Sequence, residues 1–204
     1  QVLLATGKKP RTQGLGLESI GVKVNGRGWI ETSREQRTNR PHVFAAGDIV
    51  GGMQFTHTAH HEGFVAGHNA AFVAKKKRTA RLKSDEHVVP RVTFIAPEVA
   101  SVGMTQPEVA TVYKKALVGR ADIAGLSRAV TDQTRFGMLK IVAHPSTRKV
   151  LGGHMIGERA GEVIHELALA IHLGATIDKL ATMIHAFPTY SEAIASAAFA
   201  SRIE

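Results

Sequence analysis

The most informative stretch of the sequence is IHAFPTYSEA, residues 184–193, near the C-terminus. Pro188 is typical of the first residue of a helix, because it has no N–H to leave unpaired there and its φ is already helical. Glu192 then lies one turn into the predicted helix. Apolar side chains follow at helical spacing: Ala193, Ile194, Ala197 and Ala198. The stretch therefore predicts a packed helix with a carboxylate in its first turn.

The composition is that of an ordinary globular protein. The chain has 204 residues, of which 44% are apolar and 21% charged, enough for one large or two small domains. No apolar run approaches the ~20 residues of a membrane span, so we expect no membrane association. The sequence contains no cysteine, which excludes a disulfide and a thiolate nucleophile within it. No signal peptide is visible, and we expect a cytoplasmic protein.

The net charge of +9 is concentrated in one short segment. Residues 75–83, KKKRTARLK, contain six basic side chains and no acidic one, which leaves +3 for the rest of the chain. We interpret this segment as a solvated linker, since a single-strand nucleic-acid site would need interleaved aromatic side chains. Nucleic acid is therefore not an expected partner.

The N-terminal part is predicted to consist of short strands and turns. Residues 2–7, VLLATG, predict a buried strand that ends at a glycine turn. Gln1 stands where an initiator Met is usual, so we expect this sequence to be the C-terminal part of a longer protein. Residues 22–31 alternate around Asn-Gly-Arg-Gly, which predicts a hairpin.

A carboxylate at the end of a short strand predicts a nucleotide site. Residues 43–46 predict a buried strand, and Gly47 allows the backbone to approach a ligand. Asp48 stands at the strand end, where such acids accept hydrogen bonds from sugar hydroxyls. The alternative is an aspartate that caps a turn. A helix is then predicted from Thr56, as its N-cap, to about Phe72.

Three histidines at the start of this helix, His57, His60 and His61, have a spacing that could place imidazoles on one face. The sequence positions no carboxylate or cysteine to complete a metal site. We therefore interpret them as surface and ligand-edge histidines, and we predict no metal site.

Residues 89–204 predict a second unit that mixes strands and helices. Its elements are predicted as strands at 92–94 and 99–104, a capped helix from 105–108, a hairpin of 137–143 and 149–156, an amphipathic helix from 160 that ends at Gly174, and a short helix at 176–182.

The order of these segments resembles the flavoprotein disulfide reductases, the family of dihydrolipoamide dehydrogenase, glutathione reductase and mercuric reductase-like enzymes. ATGKKP (5–10) is similar to the family's ATGRxP, and TNRPHVFAAGD (38–48) is similar to its TxxPxVYAxGD. IAPEVASVGM (95–104) is similar to TxPExAxVG, and PTYSE (188–192) is similar to the end of HPTxxE. The resemblance covers nearly the whole chain.

This resemblance implies an α+β fold: an antiparallel sheet with helices on one face, preceded by the C-terminal portion of an FAD/NAD(P)-binding α/β region. It divides the chain into the end of the nicotinamide-binding domain at 1–10, part of the FAD-binding domain at 11–74, a basic linker at 75–88 and a dimerisation (interface) domain at 89–204. The expected protein is a homodimer in which the helix after Pro188 lies at the flavin of the other subunit.

The resemblance also implies the cofactors FAD and NAD(P)H. Asp48 would bind the ribityl chain of FAD. The start of the following helix would lie at the flavin pyrimidine, where N–H groups and the helix dipole stabilise negative charge. The residues implied in cofactor binding are Gly7, Gly47, Asp48, Phe55, Thr56, His57 and Ala59.

Parts of the family's redox machinery lie outside this sequence. It holds neither of the family's Gly-x-Gly-x-x-Gly motifs nor its Cys-x4-Cys pair. We therefore expect N-terminal FAD and NAD(P) domains of the same protein as its partners, and this part alone could not run the redox cycle. The whole protein would pass hydride from NAD(P)H through FAD to a disulfide, a metal ion or another small acceptor. The rival class is a non-catalytic dimerisation module, with residues 75–83 as a docking site.

Phe187 departs from the family motif, which has His before the proline. In disulfide-reducing members a His–Glu pair handles the proton of a thiol, whose pKa of ~8.5 keeps it mostly protonated at neutral pH. Phe187 lacks this chemistry and leaves Glu192 without its His partner. Three interpretations stay open: an acceptor that needs no such base, replacement by His185, or a degenerate member kept for assembly. Glu192 and His185 are the candidate catalytic residues.

Overall fold

The computed structural model describes residues 1–74 and 81–204, which form two compact units. The N-terminal unit covers residues 1–86 and the C-terminal unit covers residues 87–204. The basic run at 75–83 therefore lies mostly outside the described residues. No helix in the described part of the chain is long and apolar enough to cross a membrane.

The N-terminal unit is a set of turns around a small core, followed by one long helix. A short 3₁₀ helix, Gly47–Val50, precedes helix α1, Thr56–Ala74. The hairpin prediction is confirmed by a bridge between Val24 and Ile30. The buried core side chains are Leu17, Val22 and Ile30, with Val43, Ala45, Ile49 and Val50 packed against them.

Two predicted strands of the N-terminal unit are wrong. Residues 2–7 form no strand, and the side chains of Val2, Leu3 and Leu4 are more than 80% exposed. Residues 43–46 make a single bridge, from Phe44 to Arg37. A strand needs a neighbour to pair its backbone groups, and within the described residues no strand runs beside either segment.

The C-terminal unit is organised by one six-stranded sheet. Its strands are β1 Arg91–Thr93, β2 Val99–Gly103, β3 Leu117–Asp122, β4 Met138–Ala143, β5 Val150–Ile156 and β6 Arg202–Ile203. They lie in the order β1-β2-β5-β4-β3-β6, and every neighbouring pair is antiparallel. Because side chains alternate between the two faces of a sheet, one face collects most of the large apolar residues. The predicted fold class is confirmed.

Helices pack against this sheet, most of them on its apolar face. They are α2 Gln106–Tyr113, α3 Ser127–Thr131, α4 Ala160–His172, α5 Ile177–Ala181 and α6 Glu192–Phe199. Helices α4 and α6 bury their apolar stripes in the main core, and the predicted stripe of α6 is confirmed, since all four of its residues are buried. Helix α2 has the predicted capping box between Thr105 and Glu108. It buries Val109 with Val118 and Val142 in a second, smaller cluster.

The predicted start of the last helix is wrong. Helix α6 begins at Glu192, and Pro188 lies in a turn before it. Local hydrogen bonds hold this turn. The hydroxyl of Thr189 donates to the carbonyl of Ala186 at 2.7 Å, and the N–H of Thr189 donates to the carboxylate of Glu192 at 2.9 Å. The carboxylate of Glu192, the first residue of α6, therefore binds the turn that precedes the helix. The sequence had predicted this carboxylate one turn into a helix that begins at Pro188.

The C-terminal residues close one edge of the sheet. Strand β6 pairs with β3, and the backbone of Glu204 exchanges two hydrogen bonds with Ala116. The guanidinium of Arg120 donates to the side chain of Glu204 at 2.9 Å. This bond is the main cause that lowers the pKa of the Glu204 side chain to about 2.

Helix α6 lies directly on strand β3 at Gly119. A Cβ atom at this position would be 2.0 Å from the backbone carbonyl oxygen of Ala197. Glycine is therefore the residue that lets α6 pack at this depth.

We predict that Gly119→Ala destabilises the C-terminal unit by about 1–3 kcal/mol, because the added methyl group forces β3 and α6 apart. Chemical denaturation followed by far-UV circular dichroism measures the change. Gly125→Ala is the matched control, since the nearest atom to its Cβ would be a side-chain oxygen of Asp122 at 3.9 Å. Equal stability of the two variants would contradict the assigned contact.

Candidate functional site

The first candidate region is the turn at Gly47 and Asp48, which precedes α1. Gly47 has φ +78°, and a Cβ there would lie 3.1 Å from the Cβ of Ala59. The turn therefore packs against the first part of α1 with no room for a side chain. Asp48 follows it with its side chain half exposed.

A buried carboxyl group holds this turn from behind. Glu62 on α1 is 3% exposed, and its carboxylate accepts a hydrogen bond from the N–H of Gly47. Burial is the largest cause of a rise in the pKa of Glu62 from 4.5 to about 7. The Gly47 bond lowers this pKa, whereas a hydrogen bond with Glu86 and the charges of Glu86 and Asp48 raise it. Glu62 therefore keeps its proton to a higher pH than an exposed glutamate does.

Asp48 is held at both its backbone and its side chain. The ammonium of Lys8 donates to a carboxylate oxygen of Asp48 at 2.9 Å. The side-chain amide of Gln54 donates to the backbone carbonyl of Asp48 at 3.3 Å. These residues line a cleft together with Trp29 and Arg11. Gly7, with φ +96°, is exposed just before Lys8.

The start of α1 presents its N-terminal N–H groups without a competing acid, because its first turn contains no acidic residue. Phe55 stacks on the ring of His57 at a centroid distance of 5.3 Å, and the side chains of Thr56 and His57 are exposed. A helix N-terminus with this composition suits an electron-rich or anionic ligand group. In residues 1–74 and 81–204, no three His, Asp or Glu side chains are grouped to hold a metal ion.

The arrangement fits a flavin nucleotide. Gly47 lets the turn approach the start of α1, where a Cβ would meet Ala59, and the carboxylate of Asp48 is accessible to a hydroxyl group. The turn and the start of α1 are adjacent through the contact of Gly47 with Ala59. The structure thus brings together Gly47, Asp48 and Ala59, which the sequence indicated separately.

The second candidate region is the turn that carries Phe187. The side chain of Phe187 is 73% exposed. The carboxylate of Glu192 accepts the N–H of Thr189, so it has a partner in its own segment. Tyr190 is 4% exposed, and its hydroxyl makes hydrogen bonds with Thr134 at 2.9 Å and Asp132 at 3.1 Å. These bonds tie the turn to the segment after α3.

His185 is paired with a residue that the sequence did not indicate as its partner. Its Nε2 lies 3.0 Å from Oε1 of Glu166 on α4, and its Nδ1 lies 3.2 Å from the carbonyl oxygen of Met183. The side chain of His185 is only 5% exposed. Both ring nitrogens therefore face acceptors within the C-terminal unit. His185 and Glu192 thus have separate partners and form no dyad with each other.

Burial raises the pKa of Tyr190, and a hydrogen bond from Arg128 lowers the pKa of the neighbouring Asp132. Tyr190 therefore stays a neutral phenol beside an ionised carboxylate at neutral pH, and its hydroxyl donates to Asp132.

Two family models match the chain. The dimerisation domain of the pyridine nucleotide-disulphide oxidoreductases matches residues 89–198, and a second model of the pyridine nucleotide-disulphide oxidoreductases matches residues 1–63. The chain therefore belongs to the pyridine nucleotide-disulphide oxidoreductases, and its C-terminal unit carries their dimerisation domain.

Curated relatives are dihydrolipoyl dehydrogenases. The protein from Thermus scotoductus is 38% identical over 97% of this chain, and the mitochondrial protein from Rattus norvegicus is 36% identical over 98%. The chain spans 41% and 38% of the length of these two relatives.

Solved structures give the same family. LpdA from Mycobacterium tuberculosis matches 97% of this chain with a TM-score of 0.84 and 28% identity, over 42% of its own chain. The HOCl-induced flavoprotein disulfide reductase RclA from Escherichia coli matches 96% with a TM-score of 0.80 and 25% identity, over 44% of its own chain.

We predict that the N-terminal unit becomes less stable as the pH rises from 4.5 to about 7. In this window the unfolded chain releases the proton of Glu62 while the folded unit retains it, so stability is highest below the window and is lost through it. Glu62→Gln should remove this dependence, because the amide mimics the protonated acid. Urea unfolding from about pH 5 to about pH 8, followed by Trp29 fluorescence, measures the effect.

Glu18→Gln is the control for this experiment, since Glu18 is an exposed acid of the same unit. It should keep the pH dependence of the unchanged protein. If Glu62→Gln has the same pH dependence as well, Glu62 is not the group that holds the proton.

Proposed function

We propose that this chain is the C-terminal part of an FAD-dependent oxidoreductase that takes hydride from NAD(P)H and works as a homodimer. The observation that carries the proposal is the bare Gly47 turn, with the accessible Asp48 carboxylate, packed on the start of α1 in a member of this family. The matched dimerisation domain supports the homodimer.

Several residues of the N-terminal unit would bind FAD, each through a different group. Asp48 would accept a hydrogen bond from a ribityl hydroxyl, Gly47 would hold the turn close to α1, and Gly7 would leave room for the cofactor. Phe55, Thr56, His57 and Ala59 contribute backbone groups at the start of α1, whose dipole stabilises negative charge on the flavin. FAD, when bound, supplies the chemistry that accepts a hydride from the nicotinamide.

The acceptor that receives the electrons is proposed to need no acid–base residue at position 187. Phe187 is exposed and has no proton to exchange, and the Glu192 carboxylate is engaged by Thr189. A metal ion, a quinone or a second nicotinamide meets this condition, whereas exchange between a disulfide and a dithiol requires a group that moves the thiol proton. RclA, which matches this chain with a TM-score of 0.81, has been solved as a Cu(II) complex. That relationship favours a metal ion, as in mercuric reductase-like enzymes.

A second candidate is a disulfide acceptor served by His185. The 3.0 Å contact between His185 and Glu166 supplies an imidazole oriented by a carboxylate, as acid–base catalysis requires. The burial of His185, at 5% exposure in this unit, opposes a direct role at a substrate. The metal-ion acceptor is therefore the preferred proposal.

An anaerobic NAD(P)H titration of the native flavoprotein tests the proposal. Uptake of four electrons per flavin, with a thiolate-to-flavin charge-transfer band, would indicate a cysteine pair elsewhere in the protein. Uptake of two electrons without that band would indicate a simple flavin reductase. Steady-state turnover of NAD(P)H with Cu(II), Hg(II), a quinone and the disulfide lipoamide then ranks the acceptors. Absence of stoichiometric flavin would favour a non-catalytic dimerisation module instead.

We predict that Phe187→His raises the rate of dihydrolipoamide oxidation by at least about 10-fold, because it restores a proton acceptor for the thiol. The unchanged protein should turn this substrate over slowly. The measurement is kcat/KM with dihydrolipoamide and NAD⁺. Phe187→Leu is the control for loss of the ring, and adding Glu192→Gln to Phe187→His should remove the gain. Fast turnover by the unchanged protein would rule out the proposed class of acceptor.

A further inference from the structure

Helix α1 carries a single acidic side chain, Glu62, and the fold places its carboxyl group beside the start of the helix. A helical side chain leans toward the N-terminus of its helix, and the carboxylate of Glu62 accepts the N–H of Gly47. The turn at Gly47 packs against Ala59, which lies in the first turn of α1. The carboxyl group of Glu62 is therefore close to the end of the helix that is proposed to face the flavin.

The charge on this carboxyl group decides how strongly the helix start attracts an anion. The N-terminus of an α-helix carries about +0.5 of an elementary charge, and an ionised Glu62 beside it would add a full negative charge. A protonated Glu62 is neutral and leaves the positive end of α1 free to stabilise negative charge on a ligand. We propose that Glu62 is a redox-linked proton acceptor, which takes up a proton when the flavin is reduced. This inference rests on the proposed function and assigns a task to a residue to which the proposed function gives none.

The surroundings of Glu62 adjust its proton affinity to the range in which this step can occur. Burial raises the pKa of Glu62 to about 7, and a hydrogen bond with Glu86 and the charges of Glu86 and Asp48 act in the same direction. Arg34 lies across the adjoining cavity and donates to the backbone carbonyl of Ser84 at 3.1 Å. The other titratable side chains at this end of α1 are exposed to solvent: His57, His60 and His61. Glu62 can therefore gain or lose a proton near neutral pH.

A polar cavity connects Glu62 with solvent. Glu62 and Glu86 line it together with the hydroxyl side chains of Thr32, Ser33 and Ser84. Ser33 is exposed whereas Glu62 is buried, so the cavity reaches from the surface to the acid. The hydroxyl of Ser84 donates to the carboxylate of Glu86 at 3.2 Å. Hydroxyl and protonated carboxyl groups both donate and accept hydrogen bonds, as the transfer of a proton to Glu62 requires.

The step balances in charge and in protons. NAD(P)H transfers a hydride to the flavin and leaves as NAD(P)⁺, so the flavin gains one negative charge. Glu62 takes one proton from solvent, and its carboxylate becomes a neutral carboxyl group. The two changes cancel, and reoxidation of the flavin by the acceptor releases the proton again. Because such coupling is reciprocal, protonated Glu62 in turn raises the affinity of the flavin for electrons.

Flavin midpoint potentials, measured by spectroelectrochemistry of the native flavoprotein at about pH 5.5 and about pH 9, test this coupling. Flavin absorbance reports the flavin couple separately from any cysteine pair. We expect reduction to strengthen proton binding by Glu62 about 10-fold, which corresponds to ~30 mV for a two-electron couple. Glu62→Gln is neutral at every pH. It should match the unchanged protein at the lower pH and have a potential ~30 mV higher at the upper pH.

Two further variants serve as controls. Glu18→Gln removes an exposed acid of the same unit and should leave the potential unchanged at both pH values. Glu86→Gln removes a neighbour that raises the pKa of Glu62, so the pH dependence should move to lower pH. A merely structural role of Glu62 would change the potential of Glu62→Gln equally at both pH values. That result, or no change at either pH, would overturn the proposal.

Infrared difference spectroscopy gives a direct second readout. At about pH 8, complete electrochemical reduction should produce the carbonyl band of a protonated carboxyl group, and Glu62→Gln should lack this band. The same band in Glu62→Gln would show that another acid takes up the proton, which would also overturn the proposal.

The failure of this inference differs from the failure of the proposed function. If the unchanged protein binds no FAD, there is no flavin potential to measure and the flavin assignment is wrong. If it binds FAD and the effect of Glu62→Gln on the potential is independent of pH, only the role of Glu62 is wrong.

Discussion

The close approach of strand β3 and helix α6 at Gly119 is the contact on which the C-terminal unit depends. A carbonyl oxygen of α6 occupies the space of a missing Cβ atom, so backbone atoms of the two elements come into close contact there. Gly153 plays the same part under α4, where a Cβ would lie 2.4 Å from a methyl group of Leu167. Two glycines in the sheet thus set the positions of two helices, and α6 in turn carries Glu192.

In both units a glutamate on a helix holds the backbone of the segment next to it. Glu62 on α1 accepts the N–H of Gly47, and Glu192 on α6 accepts the N–H of Thr189. Each carboxylate satisfies a donor that would otherwise lack a partner, and each fixes a turn on which a candidate functional residue lies. The turn that carries Phe187 therefore has a defined backbone although its side chain is exposed. The fold therefore exposes the side chain at position 187, whichever residue stands there.

The sequence predicted the elements whose signals are local. The capping box at Thr105 and Glu108, the apolar stripes of α4 and α6, and the Asn-Gly hairpin all depend on residues a few positions apart, and all are present. The start of α6 was misplaced, because hydrogen bonds around Thr189 favour a turn that the helical preference of Pro188 does not reveal.

The candidate sites were predictable in part, for a related reason. Glycine and aspartate after a short apolar run are a local pattern, so Gly47 and Asp48 could be named in advance although residues 43–46 form no strand. The partners of functional residues could not be named, because they are distant along the chain: Glu166 is 19 residues from His185, and Lys8 is 40 residues from Asp48. Tertiary packing brings such pairs together, and no regular spacing in the sequence indicates them. The strand expected at residues 2–7 depends in the same way on neighbours that propensity does not supply.

The short β6 strand has a consequence for the behaviour of the protein at high concentration. Without it, β3 would present a free edge of unpaired N–H and C=O groups, to which a strand of another molecule could add. Two residues and the Arg120–Glu204 pair close that edge, and the charged side chains make it a poor template for sheet extension. This short strand thus covers the edge of β3 at Leu117 and Val118 and disfavours pairing of another molecule's strand there.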